Sequence, residues 1–344
     1  MGIGCGQETE VTSTSHITTG GRRLMHSLVG SEVFVLVLCV LVFASFAPFT
    51  PGFATADNLG NILVACLPLL VLATGQTVVL ITAGIDLSVT ATIGLCSVLG
   101  ALVMSSEHGW LRGSPLALPV GVAAMLATGG LIGFLNGACI AWLRMPAFMV
   151  TLTSMMFCGG LAVWLAKAVV NAESIYQLPS SFLVLGQHAW LAALLAVSAA
   201  LIAHLVLART LLGRWLYAVG HNPRASLVSG VPVAGVTISA YVLSGLLAAM
   251  ASVLLTSRLE TGSPNHGKAL LLDVIGAAVI GGTSLFGGQG KVLWTVYGVL
   301  FLALLSNSLI LLNLSDFLIT IIKGVVILAA ALLDVWRAKL ARGS

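Results

Sequence analysis

The chain has 344 residues, 58% of them hydrophobic and only 8% charged, with a mean hydropathy of +1.09. A soluble globular chain is about a quarter charged, so this composition excludes one. The apolar runs are about twenty residues long, not ten-residue alternating segments, which excludes a transmembrane β-barrel and leaves an all-α polytopic membrane protein. A net charge of +4 fits orientation in a bilayer better than it fits nucleic acid.

Residues 1–27 read as a polar, disordered tail. Arg22 and Arg23 then precede an apolar run too long for a cleavable signal core. Hydropathy predicts ten spans, near 33–49, 59–82, 87–104, 116–143, 147–170, 182–208, 233–255, 270–286, 292–314 and 317–336. The eighth, short and Gly-rich, is also readable as a re-entrant segment. The transmembrane domain is thus 28–336, with a second polar tail at 337–344. An even count puts both termini on one side. Arg22, Arg23, Arg144, Arg209, Arg214, Arg224, Lys291, Arg337, Lys339 and Arg342 then share that side, against Arg112, Lys167, Arg258 and Lys268 on the other. By the positive-inside rule the richer side is the cytosol.

Six cysteines (Cys5, Cys39, Cys66, Cys96, Cys139 and Cys158) are scattered without a CxxC pair, and the seven histidines form no pair at helical spacing. No metal site is expected. No nucleophile–base arrangement or phosphate-binding Gly-x-x-x-x-Gly-Lys loop occurs, so no catalytic residue is assigned and the chain is not expected to bind ATP itself.

The longest polar interruption, 209–232, carries Arg209, Arg214, His221 and Arg224, and no Asp or Glu lies between Glu173 and Glu260. Within it Asn222 suits an N-cap, Pro223 the first helical position and Gly230 the residue past the end. The segment Asn222, Pro223, Arg224, Ala225, Ser226, Leu227, Val228, Ser229, Gly230 therefore predicts a two-turn basic helix with an apolar knob at Leu227 and Val228, suited to docking on another protein. The fourth span carries Gly129, Gly133 and Gly137 at small-xxx-small spacing, a helix-packing face.

Polar residues at membrane depth are candidates for a translocation path or gate: Gln76, Asp86, Ser88, Asn136, Thr151, Asp273, Thr283, Ser284 and Asn307. Each also has a structural reading. Asp86 or Ser88 suits the cap of the third span, Asp273 the start of the eighth, and the amides and hydroxyls suit interhelical hydrogen bonds. Lys323, inside the last span, predicts a partner such as Asp86 or Asp273, or a side chain that snorkels to the interface. The Gly/Ser-interrupted stretches 82–89 and 281–288 echo one another, as in transporters built from repeats.

Ordered motifs over about residues 55–336 carry a resemblance. They are Gly75-Gln-Thr-Val-Val-Leu-Ile-Thr-Ala-Gly-Ile-Asp-Leu-Ser-Val89, Gly133-Phe-Leu-Asn-Gly137, Pro146-Ala-Phe-Met-Val-Thr-Leu152, Gly213-Arg-Trp-Leu-Tyr-Ala-Val-Gly-His-Asn222, Ala225-Ser-Leu-Val-Ser-Gly-Val231, Tyr241-Val-Leu-Ser-Gly-Leu246 and Gly281-Gly-Thr-Ser-Leu-Phe-Gly-Gly288. With these the chain resembles the monosaccharide (ribose/xylose/galactose-type) permease subunits of bacterial ABC importers. The resemblance implies a ten-helix permease of the bacterial inner membrane, paired with a second permease subunit as a homodimer. It implies a cytosolic ATPase with tandem nucleotide-binding domains, which holds the ATP and Mg, and a periplasmic sugar-binding protein. Residues 222–230 then correspond to the coupling helix, and transport of a monosaccharide or related polyol proceeds by alternating access. Two positions depart from the family pattern: Leu271 stands where a Glu usually precedes Leu-Asp, and Thr90 where a Gly usually follows Leu-Ser-Val. The competing reading is an ion-coupled secondary transporter of a small polar solute.

Overall fold

The computed structural model describes residues 34–342; the expected disordered tail at 1–27 lies outside them, as do Arg22 and Arg23. Thirteen α-helices follow in order: α1 Phe34–Phe46, α2 Ala56–Ile81, α3 Val89–Met104, α4 Ala117–Trp142, α5 Ala147–Val170, α6 Ser180–Gln187, α7 Ala189–Arg209, α8 Leu211–His221, α9 Pro223–Val228, α10 Val233–Arg258, α11 Leu271–Gly281, α12 Val292–Leu311 and α13 Asp316–Arg342. Seven of them (α2, α4, α5, α7, α10, α12 and α13) are long and apolar enough to cross a membrane. The fold is all-α and polytopic.

The helix α2 is apolar on every side, and from Cys66 to Ile81 every residue is buried. A helix of that kind belongs in the middle of a bundle. It packs against α7, α10, α11 and α12. Beside it α10 lies along α4 through the expected glycine face. A Cβ at Gly129 would overlap the Gly245 carbonyl, one at Gly133 the Tyr241 carbonyl, and one at Gly137 would come within 2.7 Å of Ile238 Cα. At that separation backbone meets backbone, and dispersion between closely fitted surfaces replaces side-chain interdigitation. The outermost helix, α13, turns Phe317, Ile321, Val325, Leu328 and Leu332 outward, an apolar stripe suited to lipid.

Two expectations are corrected, and the eighth segment agrees with one of its two readings. The sixth predicted span, 182–208, is two helices, because the chain is extended at His188 (φ −102°, ψ 103°) and only α7 is long enough to cross. The short α6 lies against the end of α10, where a Cβ at Gly186 would overlap the Ser257–Arg258 backbone. The eighth, 270–286, is the 11-residue α11 preceded by a 3-10 turn at Lys268–Leu270. Eleven residues rise about 16 Å, half of a ~30 Å hydrocarbon core, so α11 is too short to cross by itself, in keeping with the re-entrant reading. Finally, 209–232 is not a loop around one small helix. Leu212, Leu216 and Val219, spaced i, i+4, i+7 behind an N-cap at Thr210, fold residues 211–221 into the amphipathic α8.

Two ends of the bundle emerge from the connections. At one end lie α8 and α9 with the 82–88 and 282–291 loops. At the other lie the loops at 105–116, 171–179 and 259–270.

Candidate functional site

At the first end, α9 forms as its residues dictate. Asn222 Oδ1 accepts from Arg224 N (3.1 Å) and Ala225 N (3.0 Å), Pro223 opens the helix, and Gly230 turns the chain away at φ +82°. Ser226 is buried, whereas Leu227 and Val228 are 65% and 89% exposed. Arg224, Ala225 and Ser229 surround them in the open. Two aliphatic side chains held outward on a capped six-residue helix gain nothing from this chain's own core.

One residue, Asn222, separates α9 from α8, and the end of α8 is wedged between two loops. A Cβ at Gly220 would overlap the Ile81 carbonyl, and one at Gly288 would overlap the His221 imidazole. Gly288 N donates to Ile81 O (2.8 Å), tying the second loop to the end of α2 where the first begins. Tyr217 Oη donates to Gly290 O (2.7 Å). Burial pushes the Tyr217 phenol above its ordinary value, so it remains a donor.

The two loops share a construction. Where α2 ends, Gly84 N donates to Val79 O (3.2 Å) and Ala83 N to Leu80 O (2.9 Å), with Ala83 at φ +61°. Where α11 ends, Thr283 N donates to Ala278 O (3.0 Å) and Gly282 N to Val279 O (2.9 Å), with Gly282 at φ +108°. Both are Schellman stops, the same pair of bonds around one left-handed residue. The echo between 82–89 and 281–288 thus has a geometric counterpart.

Beyond the first stop lies a buried polar cluster. Asp86 Oδ1 accepts from Ser88 N (3.0 Å) and Ser88 Oγ (2.6 Å), and its Oδ2 accepts from Ser244 Oγ (2.8 Å) on α10. Asn136 Nδ2 on α4 donates to Ser88 Oγ (2.9 Å). Thr151 Oγ1 on α5 and Tyr241 Oη on α10 both donate to Ile85 O, at 3.3 and 3.4 Å. Four of the sequence candidates (Asp86, Ser88, Asn136 and Thr151) therefore meet where α3, α4, α5 and α10 converge on the loop. Ser244 and Tyr241 join them without having been named as path candidates; the signal available was their place in the motif Tyr241-Val-Leu-Ser-Gly-Leu246.

The remaining candidates lie elsewhere. Asp273 forms an ion pair with Lys323 Nζ (2.8 Å), fastening α11 to α13, so the partner expected of Lys323 is Asp273 and not Asp86. Asn307 and Asn58 exchange amide bonds of 2.9 and 3.0 Å between α12 and α2. Ser284 shapes its loop, with Oγ accepting from Phe286 N (3.2 Å). Gln76 and Thr283 are fully buried, and their side-chain polar atoms meet no protein partner. An unpaired buried amide costs about 1–3 kcal/mol, so Gln76 is retained against a stability penalty.

At the opposite end the loops are laid over one another. Ser105 Oγ donates to Tyr176 O (2.8 Å) and Ser106 N to Gln177 O (2.9 Å). Ile175 and Gly262 exchange both backbone bonds at 2.8 Å. His266 is buried, with Nδ1 3.1 Å from Ser97 Oγ, which also accepts from Thr256 Oγ1 (2.7 Å) and Ser263 N (3.1 Å).

A family model described as branched-chain amino acid transport system / permease component matches residues 58–331. The chain is 34% identical over 325 residues to the ribose import permease protein RbsC of Escherichia coli (strain K12), covering 92% of this chain and 98% of that one. It is 34% identical over 313 residues to the L-arabinose transport system permease protein AraH of the same organism, covering 90% and 92%. With the fructose import permease protein FrcC of Rhizobium meliloti it shares 32% over 344 residues, covering 97% and 94%. No solved structure matches.

Proposed function

The chain belongs to the branched-chain amino acid transport system / permease component family, among the monosaccharide permeases of ABC importers, and from that premise we propose that it moves a monosaccharide or small polyol into the cell under the power of a separate ATPase. It is a multi-pass membrane permease of that family. The ATP and Mg belong to the partner, a cytosolic ATPase with tandem nucleotide-binding domains, and a periplasmic sugar-binding protein delivers the substrate to a pair of permease subunits. Both termini and α9 face the cytosol, in keeping with the distribution of Lys and Arg.

The observation that carries this reading is α9. Its exposed Leu227 and Val228, flanked by Arg224 and capped at both ends, fit a pocket on a cytosolic partner. Nucleotide-driven closure of the ATPase shifts this knob, and the shift opens the path alternately to each side. Asp86, Ser88, Asn136 and Thr151, joined by Ser244, hold the inner part of that path; Gln76 and Thr283 offer it polar atoms without protein partners. Asp273, Ser284 and Asn307 act through the packing of α11 and α12.

The test is uptake of labelled ribose, arabinose and fructose into proteoliposomes holding the permease and its ATPase, with the binding protein outside. Uptake that needs ATP inside and persists without an ion gradient is the expected result. Uptake driven by a proton or sodium gradient without ATP would replace this reading with a secondary transporter.

A further inference from the structure

Resting on that reading, we infer that Tyr217, Gly220 and His221 are positioning residues that carry the motion of α9 into the two broken loops at 82–88 and 282–291, and so into the Asp86 cluster.

Between α9 and the helix after it, the chain makes a turn through Gly230 (φ +82°) and Pro232, held by Val231 N donating to Ser226 O (3.0 Å). Between α9 and the helix before it there is a single residue, Asn222, whose N donates to Ala218 O (3.1 Å) while its side chain caps α9. Any displacement of α9 therefore acts on the end of α8 through a lever one residue long.

What that end touches is unusual in kind. Gly220 faces the Ile81 carbonyl with no room for a methyl group, and the His221 ring lies so close to Gly288 that a Cβ there would fall on it. Tyr217 adds a directional bond to Gly290 O. At Gly220 backbone lies on backbone, a contact that no side-chain rotation relieves, while the His221 ring and the Tyr217 hydroxyl bear on Gly288 and Gly290; a shift of the α8 end therefore moves its neighbours as well. One loop contacted in this way ends α2, whose last sixteen residues are all buried, and continues three residues later into Ile85 and Asp86, whose carbonyl and carboxylate are held by α5 and α10. The other ends the short α11 and leads into α12. A Schellman stop is a suitable receiver, because the turn about one left-handed residue swings as a unit while the helix behind it keeps its bonds. The broken loops, and not α10 alone, are thus the first membrane elements to receive the stroke.

Backbone hydrogen exchange of the assembled permease–ATPase complex, with and without a non-hydrolysable ATP analogue and Mg, tests this. In the wild type the nucleotide is expected to change exchange in 82–88 and 283–291 by about fivefold or more, the lower range of coupling between sites. In Tyr217→Phe combined with His221→Ala, the ATPase still co-purifies but the response in both loops disappears, while that at the start of α10 stays. Tyr217→Phe alone, which removes one hydroxyl, decides the matter if the double variant loses the ATPase, and it should diminish the response in 283–291 first. Loops that respond equally in wild type and variants, or that never respond in a wild-type complex, overturn the inference. A wild type that binds no ATPase fails earlier and overturns the function proposed above instead.

Discussion

The two ends of the bundle share close glycine packing but differ in what else joins their loops. At the α9 end, glycine lets backbone lie on backbone at Gly220 and Ile81, seats the His221 ring on Gly288, and leaves Gly288 N bonded to Ile81 O at 2.8 Å. At the opposite end glycine also admits backbone, with Gly94 against Pro264 and Gly186 against Ser257–Arg258, but three loops are joined besides by hydroxyls, one isolated bridge between Ile175 and Gly262, and a buried imidazole. Close backbone packing transmits displacement, whereas a few exchangeable hydrogen bonds are readily traded for water. The difference suits a protein in which force enters at one end and a latch yields at the other.

The largest effect should come from filling the rigid end. Gly220→Val drives two methyl groups into the Ile81 carbonyl, and a loss of about 3 kcal/mol, seen as a lower thermal midpoint in detergent, is expected. A stability equal to wild type would mean that the junction is loose. Of similar size is the loss on breaking the pin between α11 and α13. Lys323→Ala leaves Asp273 partly buried without its cation and should cost about 3 kcal/mol, with Asp273→Ala in the same chain recovering most of it. A double variant no better than the single one would deny the pair its role.

A moderate effect is expected at the latch. Burial lowers the pKa of His266 below its ordinary value, near 6.5, so the folded loop favours the neutral ring. Its contribution is full above that ordinary value and is lost as pH falls through it toward the folded value, because the opened loop takes up the proton first. Exchange of amides 261–267, corrected for the chemical rate, should therefore rise between pH 7.5 and 5.5 in wild type and stay level in His266→Gln. An equal rise in both would place the acid sensitivity elsewhere. The smallest effect is at Ala83, left-handed at φ +61°. Ala83→Gly relieves that conformation and should stabilise the fold by about 1 kcal/mol, where the same change at an ordinary helical alanine destabilises.

Features fixed by neighbours in the chain were legible in the sequence. Asn222, Pro223 and Gly230 announce α9 because a cap, a first-turn proline and a left-handed stop act within one turn. The glycines of α4 announce a packing face for the same reason. The pairing of Asp86 with Ser244 was not legible, since 158 residues separate them and only the approach of α10 brings the hydroxyl into reach. Lys323 marked itself as needing an acid, yet the choice of Asp273 depends on where α11 stops. Hydropathy averaged over twenty residues ran through the break at His188, joining α6 to α7. It also discounted α8, whose apolar residues share one face but are interrupted along the chain by Arg214 and His221 on the other.

The central claim is that α9 is where a partner ATPase engages this permease. Its most direct measurement is co-purification of the two, comparing wild type with Arg224→Glu combined with Leu227→Asp, which puts negative charge on the exposed face of α9 without altering a membrane helix. A complex that forms with the wild type and is lost with a folded variant is the predicted result. A complex that survives the substitutions would contradict the claim and place the docking site elsewhere on the chain.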